Sequence, residues 1–147
     1  MSISVFRIGL AFAKTVADQA HGSGLAPGRW HSLRRGAVSC RVIYCAGTPA
    51  LAQLEKRVHA NCIAPVGQAL FRLELPEGLV VSTAQAAGLP GNWGDSEAVT
   101  QACGDRWLDA CAELALWIPS CVEPAEHNLL INALHPRLTR TLAPYRT

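Results

Sequence analysis

Val42-Ile43-Tyr44-Cys45-Ala46-Gly47-Thr48-Pro49-Ala50-Leu51-Ala52-Gln53-Leu54-Glu55-Lys56-Arg57-Val58-His59-Ala60 is the stretch on which the fold turns. Val42, Ile43 and Tyr44 make a compact β-prone run. Thr48-Pro49 is a helix start: a Thr side chain accepts a free N–H of the first turn, and Pro supplies the helical φ where its missing donor costs nothing. Leu51, Leu54 and Val58 follow at helical spacing. They predict a helix over residues 49–60 with those three as its buried stripe and Glu55 at the stripe's edge.

Working outward, residues 4–8 read as a short opening strand and His21 to Gly28 as a loop, being rich in Gly with one Pro. Residues 29–41 continue irregularly and carry four arginines. After the helix, residues 69–75 alternate beyond their first two positions and stop at Pro76, which predicts a strand with one polar face. Gly78 to Val81 is β-rich. Asp95-Ser96 can cap a helix through Val99 and Ala102, which Gly104 is expected to break, leaving Trp107 to Cys111 as a separate helical turn. Residues 115–119 predict a buried strand, and residues 128–132 a further short strand or turn ended by His135-Pro136. Short strands in mixed order with helices indicate one α+β domain with a short mixed or antiparallel sheet.

Composition narrows the function classes. Half of the 147 residues are hydrophobic and 16% are charged, which excludes disorder as the main state. A net charge of +2 is too small for a protein that coats nucleic acid. Arg supplies 11 of the 13 basic residues, which suits bidentate recognition of phosphate or carboxylate. No run approaches the roughly 20 apolar residues of a membrane helix, and Arg7 interrupts the apolar start, so the N-terminus reads as folded chain and not as a signal peptide. The six cysteines (Cys40, Cys45, Cys62, Cys103, Cys111, Cys121) form no C-x-x-C pair. They are expected to be free, buried thiols in a reducing cytoplasm, with no metal site. No G-x-G-x-x-G follows a strand and no Walker-type loop is present.

Taken singly, the polar residues in apolar contexts have plain readings. Arg29 is a loop arginine, Tyr44 a rim tyrosine, Glu55 an exposed residue on a helix flank, Ser120 a turn serine, and Asn128 and Asn132 turn residues. Their joint order says more. Gly28-Arg29-Trp30, Val42-Ile43-Tyr44 and Ala50-x-x-x-Leu54-Glu55-x-x-Val58-His59 resemble the first half of the RES domain. Gly104-Asp105-x-Trp107-Leu108, Ile118-Pro119-Ser120 and Asn128-Leu-Leu-x-Asn132-x-x-His135-Pro136 resemble its second half, and Val5-Phe6-Arg7-Ile8 resembles its first strand. Arg29, Glu55 and Ser120 stand at the arginine, glutamate and serine that give the family its name. Two departures accompany the likeness. The segment between Arg29 and Tyr44 is about five residues longer than usual, so Arg34, Arg35 and Arg41 compete with Arg29 as the ligand-binding arginine, Arg29 being favoured by its Gly28 and Trp30 neighbours. The chain also ends at Tyr145-Arg146-Thr147 where the family has an Asp-x-Arg-like strand, so the last element is expected to be truncated or altered.

The resemblance implies one RES-type domain over residues 1–147 with an ADP-ribosyltransferase-like fold. It implies the toxin of a bacterial type II toxin–antitoxin pair, a cytoplasmic enzyme that takes NAD as substrate, uses no metal, and breaks the nicotinamide–ribose bond. ADP-ribose then passes to water, phosphate or a target protein. In such an enzyme Glu55 stabilises the oxocarbenium-like ribosyl centre as a carboxylate does in glycoside hydrolysis. Arg29 holds the pyrophosphate or ribose by charge-assisted hydrogen bonds. Tyr44 packs on the cationic nicotinamide ring, and Ser120 and Asn128 hydrogen-bond the carboxamide or ribose. The implied partner is a helical Xre/ParS-like antitoxin that plugs the cleft with an acidic or carboxylate group, with no direct contact of this chain to DNA or membrane. Two other readings stand beside it: a catalytically inert RES fold that only binds a protein, and a thiol enzyme built on Cys45.

Overall fold

The computed structural model describes residues 2–33, 41–61, 66–75, 81–85 and 88–138. Six strands, β1 (Ile3–Leu10), β2 (Val42–Ala46), β3 (Gln68–Leu75), β4 (Val81–Thr83), β5 (Ala115–Pro119) and β6 (His127–Asn132), form one sheet in the order β3-β1-β2-β6-β5-β4. All neighbours are antiparallel except β4 and β5, which run parallel. The expected α+β class with a short mixed sheet is what the chain adopts. Among the described residues, no helix is long and apolar enough to cross a membrane.

Side-chain alternation divides the sheet into two covered faces. Val5, Ile43, Cys45, Phe71, Leu73, Ala115, Leu129 and Ile131 point to one face and pack with Val16, Ala20 and Leu114. Val42, Tyr44, Leu116, Ile118 and Leu130 point to the other, beneath Cys103, Trp107 and Leu108. Those last three belong to helix α2 (Glu97–Ala110). Further along that second face, Phe6, Ala46 and Leu70 lie under Leu51 and Ala52 of helix α1 (Pro49–His59). The two helices therefore cover adjacent parts of one face and leave the sheet between them to line a cleft.

The Thr48 cap forms as its sequence predicts, its Oγ accepting the Leu51 N–H at 3.1 Å, a contact worth about 1 kcal/mol. The buried stripe of α1 differs from expectation. Leu54 is 43% and Val58 50% exposed, while Leu51 and Ala52 are buried. The helix is rotated so that the stripe continuing from Leu51 to Glu55, one turn on, faces the sheet and cleft. Gly104 also departs from its predicted role. It does not break α2, which runs on through Trp107; a Cβ there would sit 1.8 Å from the Trp30 carbonyl oxygen. Gly104 is thus the point where helix and loop backbones touch. The supposed loop before Gly28 begins with a 3-10 helix, Ala17–Gly24. Asp18 opens it by accepting the N–H groups of Lys14 and Thr15 at 2.9 and 2.8 Å. Val81 falls in β4, but residues 76–80, Arg34, Arg35, Cys40, Cys62 and the terminal Tyr145-Arg146-Thr147 lie outside the described residues.

Candidate active site

The cleft between α1 and α2 gathers the residues that the sequence singles out. Asn128 pairs across the sheet with both Ala46 and Ile118, and Tyr44 pairs with Leu130 two residues along the same face. Ser120 follows directly after β5. Glu55 descends onto this floor from α1. Its Oε1 accepts Asn128 Nδ2 at 2.6 Å and Ser120 Oγ at 2.8 Å.

Ser120 is fully buried, and its hydroxyl has a forced direction. Its oxygen accepts the Val122 and Glu123 N–H groups at 3.1 and 3.0 Å, so its single hydrogen goes to Glu55. The geometry thus gives Ser120 to the carboxylate, in place of the direct ligand contact expected of it. Both bonds fall on Oε1, leaving Oε2 without a hydrogen bond among the described residues. Asn128 also keeps a free group, since its buried Oδ1 has no partner among the described residues.

Arg29 is carried by a turn whose backbone is gripped from two sides. From α2, Gln101 Nε2 donates to the Gly28 carbonyl at 2.9 Å and Thr100 Oγ1 to the Arg29 carbonyl at 2.5 Å. The Ser32 N–H and Oγ both donate to Asp105, at 3.2 and 2.5 Å. From the sheet, the Tyr44 hydroxyl accepts the Trp30 N–H at 3.1 Å. Trp30 itself is 2% exposed and packs against Trp93, ring centroids 6.0 Å apart. The Arg29 guanidinium donates from Nη2 to the Gly94 carbonyl at 3.0 Å. Its Nε is buried and unpartnered among the described residues. Of the competing arginines, Arg41 is turned away, in a 2.7 Å ion pair with Asp109 of α2.

The electrostatics tie the two sides of the cleft together. Burial pushes the Cys121 thiol up, opposed by the charge of Arg29 and reinforced by those of Glu55 and Glu97. Burial likewise raises the Tyr44 phenol well above its ordinary value, so it stays a neutral hydroxyl. The free thiols are less uniform than expected: Cys45 and Cys103 are buried, Cys111 is partly covered and Cys121 is exposed. Cys45 faces away from the cleft, and burial pushes its thiol up to about 12, unsuited to nucleophilic work.

Several contributors escaped the sequence reading. His31 is 6% exposed and hydrogen-bonds the Tyr44 hydroxyl at 2.7 Å. Thr100 and Gln101 had no distinguishing signal, because a side chain that grips a backbone carbonyl imposes no motif. Asn132, by contrast, is structural: its Nδ2 donates to the Leu108 carbonyl at 3.3 Å and its Oδ1 accepts the Leu134 N–H at 3.1 Å.

Comparison with known families gives a match to the RES domain over residues 4–147. The chain belongs to the RES-domain family. Toxin Res of Pseudomonas putida is 37% identical over 125 residues, covering 82% of this chain and 81% of that protein. The Prs ADP-ribosylating toxin of a Sphingobium species is 33% identical over 143 residues, covering 92% and 86%. Among solved structures, a chain of the M. tuberculosis MbcT–MbcA toxin–antitoxin complex superposes with a TM-score of 0.67. That match covers 99% of this chain and 85% of the other at 17% identity, a likeness of fold. In this RES domain Glu55 and Ser120, which stand at the family's glutamate and serine by sequence likeness, are in direct contact.

Proposed function

We propose that this RES domain is the toxin of a toxin–antitoxin pair and acts in the cytoplasm on NAD, breaking the bond between nicotinamide and ribose. The observation that carries the reading is Glu55. It is a carboxylate fixed through one oxygen by Ser120 and Asn128 while its other oxygen makes no hydrogen bond among the described residues. Nicotinamide leaves as a neutral ring from a cationic one, so positive charge develops on the ribose. A preoriented carboxylate stabilises that charge without reorganising, and such a contact is typically worth about 10²–10³ in rate. Arg29, whose buried Nε lacks a partner among the described residues, suits the pyrophosphate or ribose. The Tyr44 ring, its hydroxyl tied down, offers a fixed aromatic wall to the nicotinamide. The Asn128 Oδ1, unpartnered among the described residues, can accept from the carboxamide or a ribose hydroxyl. These residue types fit a dinucleotide of this charge, and the naming of one relative as an ADP-ribosylating toxin agrees with the reading.

The ADP-ribose acceptor is water, phosphate or a target-protein side chain. The partner is an antitoxin that closes the cleft with a carboxylate opposite Arg29, consistent with a toxin–antitoxin complex as structural neighbour. The test is to incubate the purified chain with NAD, with and without phosphate, and to identify the products. Release of nicotinamide is expected. Free ADP-ribose, its phosphorylated form, or a modified protein in a lysate then names the acceptor. No loss of NAD would refute the enzymatic reading and leave the binding module.

A further inference from the structure

The turn that bears Arg29 closes on residue 31. The Gly28 N–H donates to the His31 carbonyl at 3.1 Å. A Cβ on Gly28 would fall 2.5 Å from the Tyr44 hydroxyl and 2.8 Å from two atoms of the His31 ring. The turn is therefore folded tightly over the His31–Tyr44 pair. The imidazole is 6% exposed, and both its nitrogens are engaged. Nε2 lies 3.1 Å from the Ser23 carbonyl and 3.0 Å from the Ala26 carbonyl. Carbonyls only accept, so Nε2 carries the ring hydrogen, and Nδ1 accepts the Tyr44 hydroxyl at 2.7 Å. That hydroxyl in turn accepts the Trp30 N–H. A directional chain runs from the Trp30 amide through the Tyr44 hydroxyl and the His31 ring to the backbone before Gly28. Its members bracket Arg29 in sequence, with Gly28 on one side and Trp30 and His31 on the other.

We propose that His31 is a positioning residue: its hydrogen bond to Tyr44 fixes the Tyr44 ring and the Arg29 turn in the arrangement that receives the dinucleotide. This rests on the reading of the cleft as an NAD site. Neighbouring groups support the turn from α2; from the sheet that carries Tyr44 and Asn128, the Tyr44 hydroxyl holds it through the Trp30 N–H, and His31 orients that hydroxyl.

The test compares His31→Leu, which fills the volume without hydrogen bonds, with His31→Asn, whose amide can accept from Tyr44 and donate to a carbonyl. Tyr44→Phe removes the same link from its other end, together with the acceptor of the Trp30 N–H, and serves for KM and Kd if His31→Leu does not fold. The measurements are KM for NAD, the Kd of ADP-ribose, and exchange of the Trp30 amide with solvent, all well below each variant's melting temperature. His31→Leu and Tyr44→Phe are expected to raise KM and Kd about tenfold, the equivalent of one such hydrogen bond, and to speed Trp30 exchange. His31→Asn is expected to stay within about threefold of the wild type. A loss of folded protein alone lowers apparent kcat and leaves KM and Kd in place, and that result overturns the proposal, as does equal damage in His31→Asn and His31→Leu. If the wild-type chain neither binds ADP-ribose nor cleaves NAD, the NAD reading falls separately. The exchange measurement then decides alone, with unchanged Trp30 protection in His31→Leu as the refuting result.

Discussion

Replacing Glu55 by Gln isolates the charge of the carboxylate from its shape. Gln keeps an oxygen where Oε1 accepts Asn128 and Ser120 at 2.6 and 2.8 Å, so both contacts persist as neutral hydrogen bonds. A bond to a charged group contributes about 1.5–3 kcal/mol and a neutral one about 0.5–1.5 kcal/mol. Against this weakening stands the lower cost of burying an amide than a carboxylate. The net change in stability is about 0–2 kcal/mol, a fall in Tm of no more than about 8 °C for a chain of this size. Turnover should fall much further, by about 10²–10³, because the developing ribosyl charge loses its counter-charge. Glu55→Ala is a poorer probe: it strips the acceptor from Asn128, whose Oδ1 is already unpartnered, and confuses damage with chemistry. The assay is nicotinamide release at 25 °C, alongside thermal melting by circular dichroism. A Glu55→Gln protein that retains more than about a tenth of wild-type turnover would refute the electrostatic role.

Gly104→Ala should push α2 away from the Trp30 carbonyl and weaken the Thr100 grip on Arg29. Overpacking of about 1–3 kcal/mol outweighs the roughly 1 kcal/mol that Ala gains in a helix, so lower Tm and higher KM are expected; a melting point above wild type would show the approach to be loose. Cys121→Ser should leave NAD turnover within about twofold, since burial keeps this thiol protonated near neutral pH, and a loss of tenfold or more would restore a thiol mechanism. Asp18 is held below its ordinary value near 3.8 by the N–H groups of Lys14 and Thr15. A depressed carboxylate stabilises the fold above its unfolded pKa and loses that contribution as pH falls through the folded one. Asp18→Asn should therefore flatten the acid limb of Tm against pH below about pH 4, and an acid limb parallel to the wild type would contradict the assignment.

Periodicity revealed the strands for reasons the layers explain. β2, β5 and β6 are covered on both faces over most of their length, so Val42-Ile43-Tyr44, Ala115 to Pro119 and Leu129 to Ile131 read as unbroken apolar runs. β3 lies at the sheet's edge with Arg72 outward and Phe71 and Leu73 inward, and it alternates. The 3-10 helix was illegible because local bonds from Asp18 and Thr15 make it, with no apolar stripe. Gly104 was misread because a glycine in a helical pattern signals a break and a close approach alike, and only the position of Trp30 distinguishes them.

The rotation of α1 shows why the site outran the pattern. Leu51, Leu54 and Val58 make a better apolar stripe than Leu51, Ala52 and Glu55, yet the helix turns the second inward. That choice leaves Leu54 and Val58 in solvent, and burying them fully would be worth about 1.5–3 kcal/mol each. What it secures is a carboxylate seated on Ser120 and Asn128. Local preference and global arrangement conflict at that turn, as they do where function sets the terms. The groups proposed to meet the ligand, Arg29, Tyr44 and Glu55, were legible only through the joint order of motifs that resembles the RES domain, since each alone has a plain reading. Their supports, His31, Thr100, Gln101 and Asp105, hold backbone or one another through bonds that many residues can make. A site fixed to within hydrogen-bond precision depends on both sets, so a substitution among the silent supports should damage ligand binding as surely as one among the named residues.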